Sequence, residues 1–297
     1  MIKSARVIIS LLIILPVLVI IISSIAGTLF DRTVSKEVQE LLANPGGKKE
    51  VVTKADLAGL PLCVQNWLEN ARVVGMEKIK TVRLRQKALM RLEAGKPWMP
   101  VEAEQYFRVD KPGFIWQARV KMAPLVYLTG RDKYYEGKGQ MLIKALSLIN
   151  IVNSSGMEMD QGSMLRYLAE TIWFPTAALS DYIKWEEIDS HSARATMTYG
   201  GTTASGIFTF NDQGEPVKFT AKRYRETGGK YELTDWGGKN LTEFRKFNGI
   251  RIPVRGEVFW KLTTGDFDWY QWEITDIKYN KPFVKFRKQT DNSFYIP

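Results

Sequence analysis

Arg166, Glu170 and Trp173 follow one another at helical spacing, and their side chains can do chemistry together. Residues four apart on a helix are neighbours, so the Arg166 guanidinium can pair with the Glu170 carboxylate. The order is unfavourable, because the cation lies nearer the helix N-terminus and the anion nearer the C-terminus, against the dipole. The pair is either an exposed salt bridge worth under about 1 kcal/mol, or a polar pair under a sheet or in a cleft. With Trp116, these are the predicted ligand-binding residues.

Nucleophilic catalysis has weak support in this sequence. The residue types of a serine-hydrolase triad occur in the run 189–192, Asp-Ser-His-Ser, but consecutive residues cannot converge as a triad does. His191 is the only histidine, and we expect it on the surface near a turn, unless the fold brings a remote serine and aspartate to it. The glycine pairs at 200–201, 228–229 and 237–238 are typical of turns and do not open a helix as a phosphate loop does.

Carboxylates occur in pairs at four places, Glu102/Glu104, Glu158/Asp160, Glu186/Glu187 and Asp266/Asp268. Alternate residues of a strand share a face, so three of these pairs can lie together, and a glycosidase needs two carboxyl groups roughly 5–10 Å apart. Pairs of this kind are common and favour solvated rim charges. The single Cys63 and single histidine exclude a zinc site of cysteines and histidines, and no metal or cofactor is predicted.

The helix that carries Arg166 is the clearest in the soluble part of the chain. Leu165, Leu168, Ala169 and Ile172 form one apolar stripe. Asp160 or Ser163 can cap its N-terminus, and Pro175 prevents its continuation. The pattern predicts a helix over 163–174.

Most of the remaining chain alternates between apolar and polar residues, as strands do. In the strand predicted over 113–122, Phe114, Trp116, Ala118 and Val120 share one face. A second helix is predicted over 57–71. Short connections between successive strands favour antiparallel pairing. We therefore predict a mainly β (α+β) fold: a large antiparallel meander or half-barrel with two helices packed on it, preceded by one transmembrane helix.

Bulky aromatic side chains crowd the C-terminal strands and occupy both faces. Phe259 and Trp260 are adjacent, and Trp269 and Trp272 have opposite parity. A sheet with one solvated face should not have this pattern. Either helices cover one side, or a concave face holds an apolar ligand. Simple core packing explains the pattern as well.

The N-terminus has the composition of a membrane segment. The 297 residues carry a net charge of +10, but the run from Val7 to Phe30 has no charge and can cross a hydrocarbon core of about 20 residues. Lys3 and Arg6 precede this run, which predicts a cytoplasmic N-terminus and an extracytoplasmic main domain. Cleavage after Ala26 is the alternative, and the length of the apolar run favours an uncleaved anchor.

The predicted organisation is an anchor over 1–30, a juxtamembrane linker over 31–56 and a β-rich domain over 57–297. An extracytoplasmic domain would not normally meet nucleic acid. Its basic strand residues, such as Arg83 and Arg85, form either a solvated face or a surface for anionic head groups or wall polymers.

Several phrases of the sequence resemble a bacterial family of unknown function that has an N-terminal anchor. They lie at 98–100 (Trp-Met-Pro), 103–107 (Ala-Glu-Gln-Tyr-Phe), 112–116 (Pro-Gly-Phe-Ile-Trp), 166–170 (Arg-Tyr-Leu-Ala-Glu), 173–175 (Trp-Phe-Pro), 249–253 (Gly-Ile-Arg-Ile-Pro) and 266–272. The resemblance spans roughly residues 60–280 by motif reading, and it implies no activity. A long meander interrupted by a helix is also similar to the half-barrels of lipoprotein carriers, and fold alone does not determine function.

Three functions fit these observations. The first, which we favour, is a membrane-anchored binding module that holds a lipophilic ligand against a curved sheet. The second is a carboxylate-dependent hydrolase of the envelope, and the third is a structural partner in a membrane complex. The anchor predicts membrane lipid as a partner, the binding module predicts a lipophilic ligand, and the sequence does not identify a protein partner.

Overall fold

The computed structural model describes residues 2–282, with side chains from residue 14 onward. The helices are α1 (Ile2–Leu41), α2 (Leu62–Asn70) and α3 (Met157–Glu170). The strands are β1 (Thr81–Met90), β2 (Met99–Arg108), β3 (Gly113–Ala123), β4 (Val126–Tyr135), β5 (Lys138–Ala145), β6 (Ile149–Ser155), β7 (Ile183–Asp189), β8 (Ser192–Tyr199), β9 (Thr202–Phe210), β10 (Pro216–Thr227), β11 (Lys230–Phe247), β12 (Ile250–Leu262) and β13 (Gly265–Tyr279).

All thirteen strands of the described residues form one antiparallel sheet. Strands β1 to β6 and strands β7 to β13 are two meanders, and they join where β1 pairs with β13. Strands β6 and β7 therefore lie at the two outer edges, and α3 connects them along the chain. The predicted mainly β antiparallel meander is confirmed.

The sheet curves around α3, which contacts strands of both meanders from β4 to β11. The curvature brings the β4–β5 turn against the β8–β9 turn. A Cβ added to Gly137 would lie 2.7 Å from the Cα of Gly200, so the two backbones touch directly. The concave face and α3 enclose the main hydrophobic core, which includes Phe107, Phe114 and Tyr134.

The second half of α1 lies on the convex face of β2 and β3. Phe30, Val34, Val38 and Leu41 are buried there against Tyr106 and Ile115. These two strand residues have the opposite parity to Phe107 and Phe114, so β2 and β3 are apolar on both faces because a helix covers each one.

Arg108 fixes the C-terminus of α1 to the sheet. Its guanidinium donates hydrogen bonds to the carbonyl oxygens of Leu41, Ala43 and Asn44, and it also binds the Asp110 carboxylate. Terminal carbonyls of a helix have no partner within the helix, so this cation satisfies them and complements the dipole.

The helices begin and end at residues that differ from the predicted ones. α2 begins after Pro61, because the preceding residues 54–57 form a short 3-10 turn. α3 begins at Met157 and ends at Glu170, and 3-10 turns follow over 171–173 and 175–179. Neither predicted cap acts at its N-terminus: Asp160 instead accepts a hydrogen bond from the backbone N–H of Gly139 on β5. α1 continues without a break through residues 31–41.

Candidate functional site

Arg166 lies at the centre of a charged cluster between α3 and the concave face. Its guanidinium binds the Glu170 carboxylate at 2.9 Å and the Asp132 carboxylate at 2.7 Å. Gln105 of β2 donates to Glu170 at 2.7 Å, and its amide oxygen lies 3.3 Å from the Arg166 guanidinium. The predicted pair is therefore part of a larger network of α3, β2 and β4.

This cluster is largely closed to solvent. The side chains of Arg166, Glu170 and Asp132 are 16%, 13% and 1% exposed. Burial opposes the charge on Arg166, but the two carboxylates outweigh burial and raise its pKa above the usual value. Burial raises the pKa of Glu170, and Arg166 and Gln105 limit that rise. The cluster is the buried alternative of the two that the sequence left open.

Trp116 belongs to the cluster, and Trp173 belongs to the aromatic core beside it. The Arg166 guanidinium lies 5.1 Å from the centre of the Trp116 ring, which is a cation–π distance. Trp173 packs edge-on against Trp272 at 5.0 Å and against Phe107 at 6.4 Å. The stripe from Arg166 through Glu170 does not reach Trp173, because α3 ends at Glu170 and the chain tightens into a 3-10 turn.

Asp132 and Gln105 are members of the cluster that were not predicted from the sequence as site residues. A signal for Asp132 was present, since Leu128, Gly130, Asp132 and Tyr134 alternate along β4 and place one carboxylate on an otherwise apolar face. Gln105 likewise shares a face with Phe107 on β2. A polar residue on the core-facing side of a strand needs a partner, and here the partners lie on α3.

Arg223 is a second cation on the concave face; no carboxylate of the described residues forms a salt bridge with it, and the charges of Asp132 and Glu170 act on it only from a greater distance. Its guanidinium lies 4.6 Å from the centre of the Trp236 ring and 5.9 Å from that of Trp260. It makes no hydrogen bond or ion pair with any residue of the described chain. Gly162 of α3 makes room for it, since a Cβ there would lie 3.0 Å from the Arg223 Nε. Burial lowers the pKa of Arg223 to about 10, so the side chain remains charged at neutral pH.

The indole N–H of Trp236, whose ring lies beside the Arg223 guanidinium, has no partner in the described part of the chain, and neither has that of Trp269 on β13. The Nε1 atoms of Trp236 and Trp269 are buried, and neither has an acceptor among the described residues. Trp260 and Trp269 are only partly buried. Buried donors without acceptors are rare in folded proteins and call for an explanation. We call Arg223, Trp236 and Trp260 the tryptophan–arginine site.

The sequence matches the profile of a family described as a family of unknown function, DUF6544, over residues 50–272. The chain belongs to the DUF6544 family. The match includes α2, α3 and both groups of side chains described above, and it leaves out α1. The resemblance to an anchored family of unknown function is thus confirmed. No protein with a curated description matches the sequence.

Two solved structures are similar to this DUF6544 protein at low TM-scores. A crystal structure described as an outer membrane lipoprotein-sorting protein domain from Vibrio parahaemolyticus has a TM-score of 0.37 and 7% identity, and the likeness covers 69% of this chain and 88% of that one. A DUF1329 family protein from Desulfovibrio piger has a TM-score of 0.43 and 12% identity, with 76% and 95% covered. Scores of this size carry no information on function.

Three carboxylates of the predicted pairs are held in ion pairs in this DUF6544 protein. Asp266 and Asp268 both bind Lys239, at 3.0 and 2.7 Å. Glu104 binds Arg85 at 3.3 Å on the convex face. These carboxylates already have cationic partners, which is typical of structural ion pairs.

His191 meets a serine and an aspartate, but in an order that does not suit catalysis. Its Nδ1 lies 2.8 Å from the Ser190 hydroxyl and its Nε2 lies 2.9 Å from the Asp212 carboxylate. In serine hydrolases the carboxylate binds Nδ1 and the nucleophile faces Nε2, which is the reverse. His191 and Asp212 are half to mostly exposed, on two polar turns. The prediction of a surface histidine near a turn agrees with this position.

One described helix is apolar and long enough to cross a membrane. This helix is α1, and the side chains from Ile14 to Ile22 are exposed. A membrane anchor and a signal sequence both have this character.

Proposed function

We propose that the chain is an extracytoplasmic binding module, anchored in the cell membrane by α1 with its N-terminus in the cytoplasm. Its ligand is lipophilic and carries an acidic group, and it binds at the tryptophan–arginine site. The ligand class follows from side chains that the protein's own contacts leave unused.

The observation that carries the proposal is the unpaired cation Arg223. A charge that is partly removed from water without a counter-ion lowers the stability of the fold. An acidic group bound there would supply the missing ion pair. The N–H group of Trp236 would donate to the same ligand, and the indole faces of Trp236 and Trp260 would contact its apolar part.

The Arg166 cluster supports this site indirectly, through the position of α3. Arg166 already binds both carboxylates of the cluster, so the cluster positions α3 and leaves Arg223 as the cation available to a ligand. Trp116, Arg166 and Glu170 are in this proposal positioning residues, and Trp173 contributes to the core beneath them.

The structure of α1 supports an uncleaved anchor. The helix continues from the apolar segment into the part that packs on the sheet, and Ser23 is already buried in contact with the β3–β4 and β5–β6 turns. Cleavage after Ala26 would remove these contacts. Membrane lipid is thus the proposed partner of α1.

The test is to purify the full chain in a mild detergent, extract it with organic solvent and identify bound lipids by mass spectrometry. The comparison is with Arg223→Met, which keeps the packing on Trp236 and removes the charge, and with Arg245→Met, which changes an exposed arginine paired with Glu243. We expect an acidic lipid in the wild type and in Arg245→Met, with at least a fivefold loss in Arg223→Met at unchanged or higher stability. No bound lipid in any of them, or equal amounts in all three, would contradict the proposal.

A further inference from the structure

Large apolar side chains are exposed on two neighbouring hairpins of the sheet. These are Met122, Leu125 and Val126 around the β3–β4 turn and Leu148, Ile149 and Ile151 around the β5–β6 turn. The turns at the opposite end of the sheet are polar, such as Asn-Asp-Gln-Gly-Glu at 211–215 and Asn-Gly at 248–249. A grouped apolar surface of this kind marks a contact with another protein or a membrane.

Both hairpins are fixed to α1 at the point where the helix leaves the sheet. The Ser23 hydroxyl lies 2.7 Å from the Tyr127 hydroxyl and donates to the Leu146 carbonyl at 2.8 Å. One turn further along, a Cβ on Gly27 would lie 3.4 Å from the Ser147 hydroxyl. If α1 crosses a membrane, the position of these hairpins relative to the membrane is therefore set by the position of α1.

The length of α1 sets that depth. Arg6 is the last charge before the apolar run, and Ser23 follows 17 residues later, about 26 Å along a helix that rises 1.5 Å per residue. The hydrocarbon core of a bilayer is about 30 Å thick. With Arg6 at the inner boundary of the core, the Ser23 contact lies a few ångströms inside its outer boundary.

The polar side chains near the hairpins suit the head-group layer. Arg119 stacks on Tyr127 at 4.1 Å beside Gly27, one helical turn outward from Ser23. Arg119 and Lys121 line a shallow groove of about 240 Å³ together with Leu125. Tyrosine is enriched at membrane interfaces, and exposed lysine and arginine are attracted to anionic lipid heads.

We propose that the β3–β4 and β5–β6 hairpins penetrate the outer leaflet beside α1, with Arg119 and Lys121 at the level of the lipid phosphates. This inference rests on the proposed anchoring of α1 and is independent of the ligand at the tryptophan–arginine site. The bilayer is thus the partner of this surface, and the domain has one fixed orientation on the membrane.

The test uses the full chain in phosphatidylcholine vesicles, with Cys63 changed to alanine and one cysteine introduced at a time. Leu125→Cys and Ile149→Cys report on the two hairpins. Leu18→Cys reports on the anchor, and Gln213→Cys reports on a polar turn at the opposite end of the sheet. Each cysteine carries an environment-sensitive fluorophore, and the vesicles contain either unlabelled lipid or a mixture of lipids with the nitroxide near the head group and midway along the acyl chain.

We expect the nitroxide lipids to reduce the emission at 125 and 149 at least twofold, as at position 18, and to leave position 213 unchanged. Quenching at 18 without quenching at 125 and 149 would overturn the inference and leave the anchor intact. If position 18 is not quenched, the proposed anchor fails, and the inference fails with it.

Discussion

Arg166 binds two carboxylates at once, so the members of its cluster are not equivalent. Removal of the guanidinium leaves Asp132 and Glu170 buried without a counter-ion, and loss of a buried partner costs about 3–5 kcal/mol. Neutralising Glu170 leaves the Arg166–Asp132 pair in place. We therefore expect Arg166→Met to lower the free energy of unfolding by about 3–5 kcal/mol and Glu170→Gln to lower it by less than half as much. Urea denaturation in detergent measures both.

The matched control is the exposed pair of Lys222 and Asp235, which are 2.8 Å apart on β10 and β11. Lys222→Ala should change the free energy of unfolding by no more than about 0.5 kcal/mol, since exposed pairs contribute little. Equal small effects of Lys222→Ala and Arg166→Met would place the Arg166 cluster among ordinary surface ion pairs.

For the Arg166 cluster, the sequence predicted the contact within α3 but did not predict the contacts with strands β2 and β4. The spacing of Arg166 and Glu170 predicted their contact, and the unfavourable order of the charges pointed to a special role. Asp132 and Gln105 come from strands that lie far away in sequence, so only the sheet register brings them to Arg166. Arg223 was not predicted as a binding residue. Its unusual property is that it forms no salt bridge with a described residue, and this property is visible only in the structure.

The contact between the β4–β5 and β8–β9 turns tests the curvature of the sheet. Gly137 and Gly200 approach so closely that neither has room for a Cβ. We expect Gly137→Ala to lower the melting temperature more than Gly201→Ala does. Both glycines have a φ of +80°, but Gly201 has no atom within 4 Å of the added Cβ, so it controls for backbone strain alone. Thermal melts followed by circular dichroism measure the difference, and equal shifts would argue against the contact.

The contact of Arg108 and Asp110 with the C-terminus of α1 makes the stability of the protein depend on pH. Burial alone would raise the pKa of Asp110, but hydrogen bonds from Arg108 and from the backbone N–H of Gly46 lower it below its usual value near 3.8. A lowered carboxyl pKa contributes stability above the usual value, and this stability is lost as the pH falls below it.

We expect the wild type to lose more stability than Asp110→Asn between about pH 5 and pH 2, since the variant has no carboxylate to protonate. Melting temperatures measured across this range give the comparison. Parallel pH profiles for the two proteins would show that the Arg108–Asp110 pair does not stabilise the contact between α1 and the sheet in solution.

Elements with a strong local pattern were predicted well, and the exceptions have local causes. Alternation placed Phe114, Trp116, Ala118 and Val120 on the buried face of β3, as observed. The end of α3 was predicted four residues late, because the 3-10 turns that follow it keep the same apolar spacing. The second half of α1 was predicted as part of a juxtamembrane linker, because polar residues separate Phe30, Val34 and Val38, which form its buried stripe.

For the whole molecule, the proposed topology has a simple test. We expect a reporter fused after Pro297 to be active outside the cytoplasm and to sediment with membranes at the size of the uncleaved chain. Lys3 and Arg6 before the apolar run are the physical reason. A reporter active in the cytoplasm would contradict the orientation, and a shortened soluble product would show cleavage near Ala26.

The meander and the N-terminal apolar helix follow from the sequence, because hairpin spacing and hydropathy are local properties. The joining of two meanders at β1 and β13 does not, since it pairs strands almost 200 residues apart and no local signal specifies it. The tryptophans of the last strands were recognised as unusual. Their position beside Arg223 depends on the pairing of β10, β11 and β12.

The most direct test of the account is photocrosslinking of the tryptophan–arginine site in living cells. A photoreactive benzoyl-phenylalanine replaces Trp260 in one variant and Ile188, an exposed apolar residue of β7, in another. After irradiation, mass spectrometry of the purified chain detects covalent adducts. We expect an acidic-lipid adduct at position 260 and none at position 188. We also expect Arg223→Met to remove the adduct at position 260. Absence of a lipid adduct at 260, or an adduct that persists without Arg223, would contradict the account.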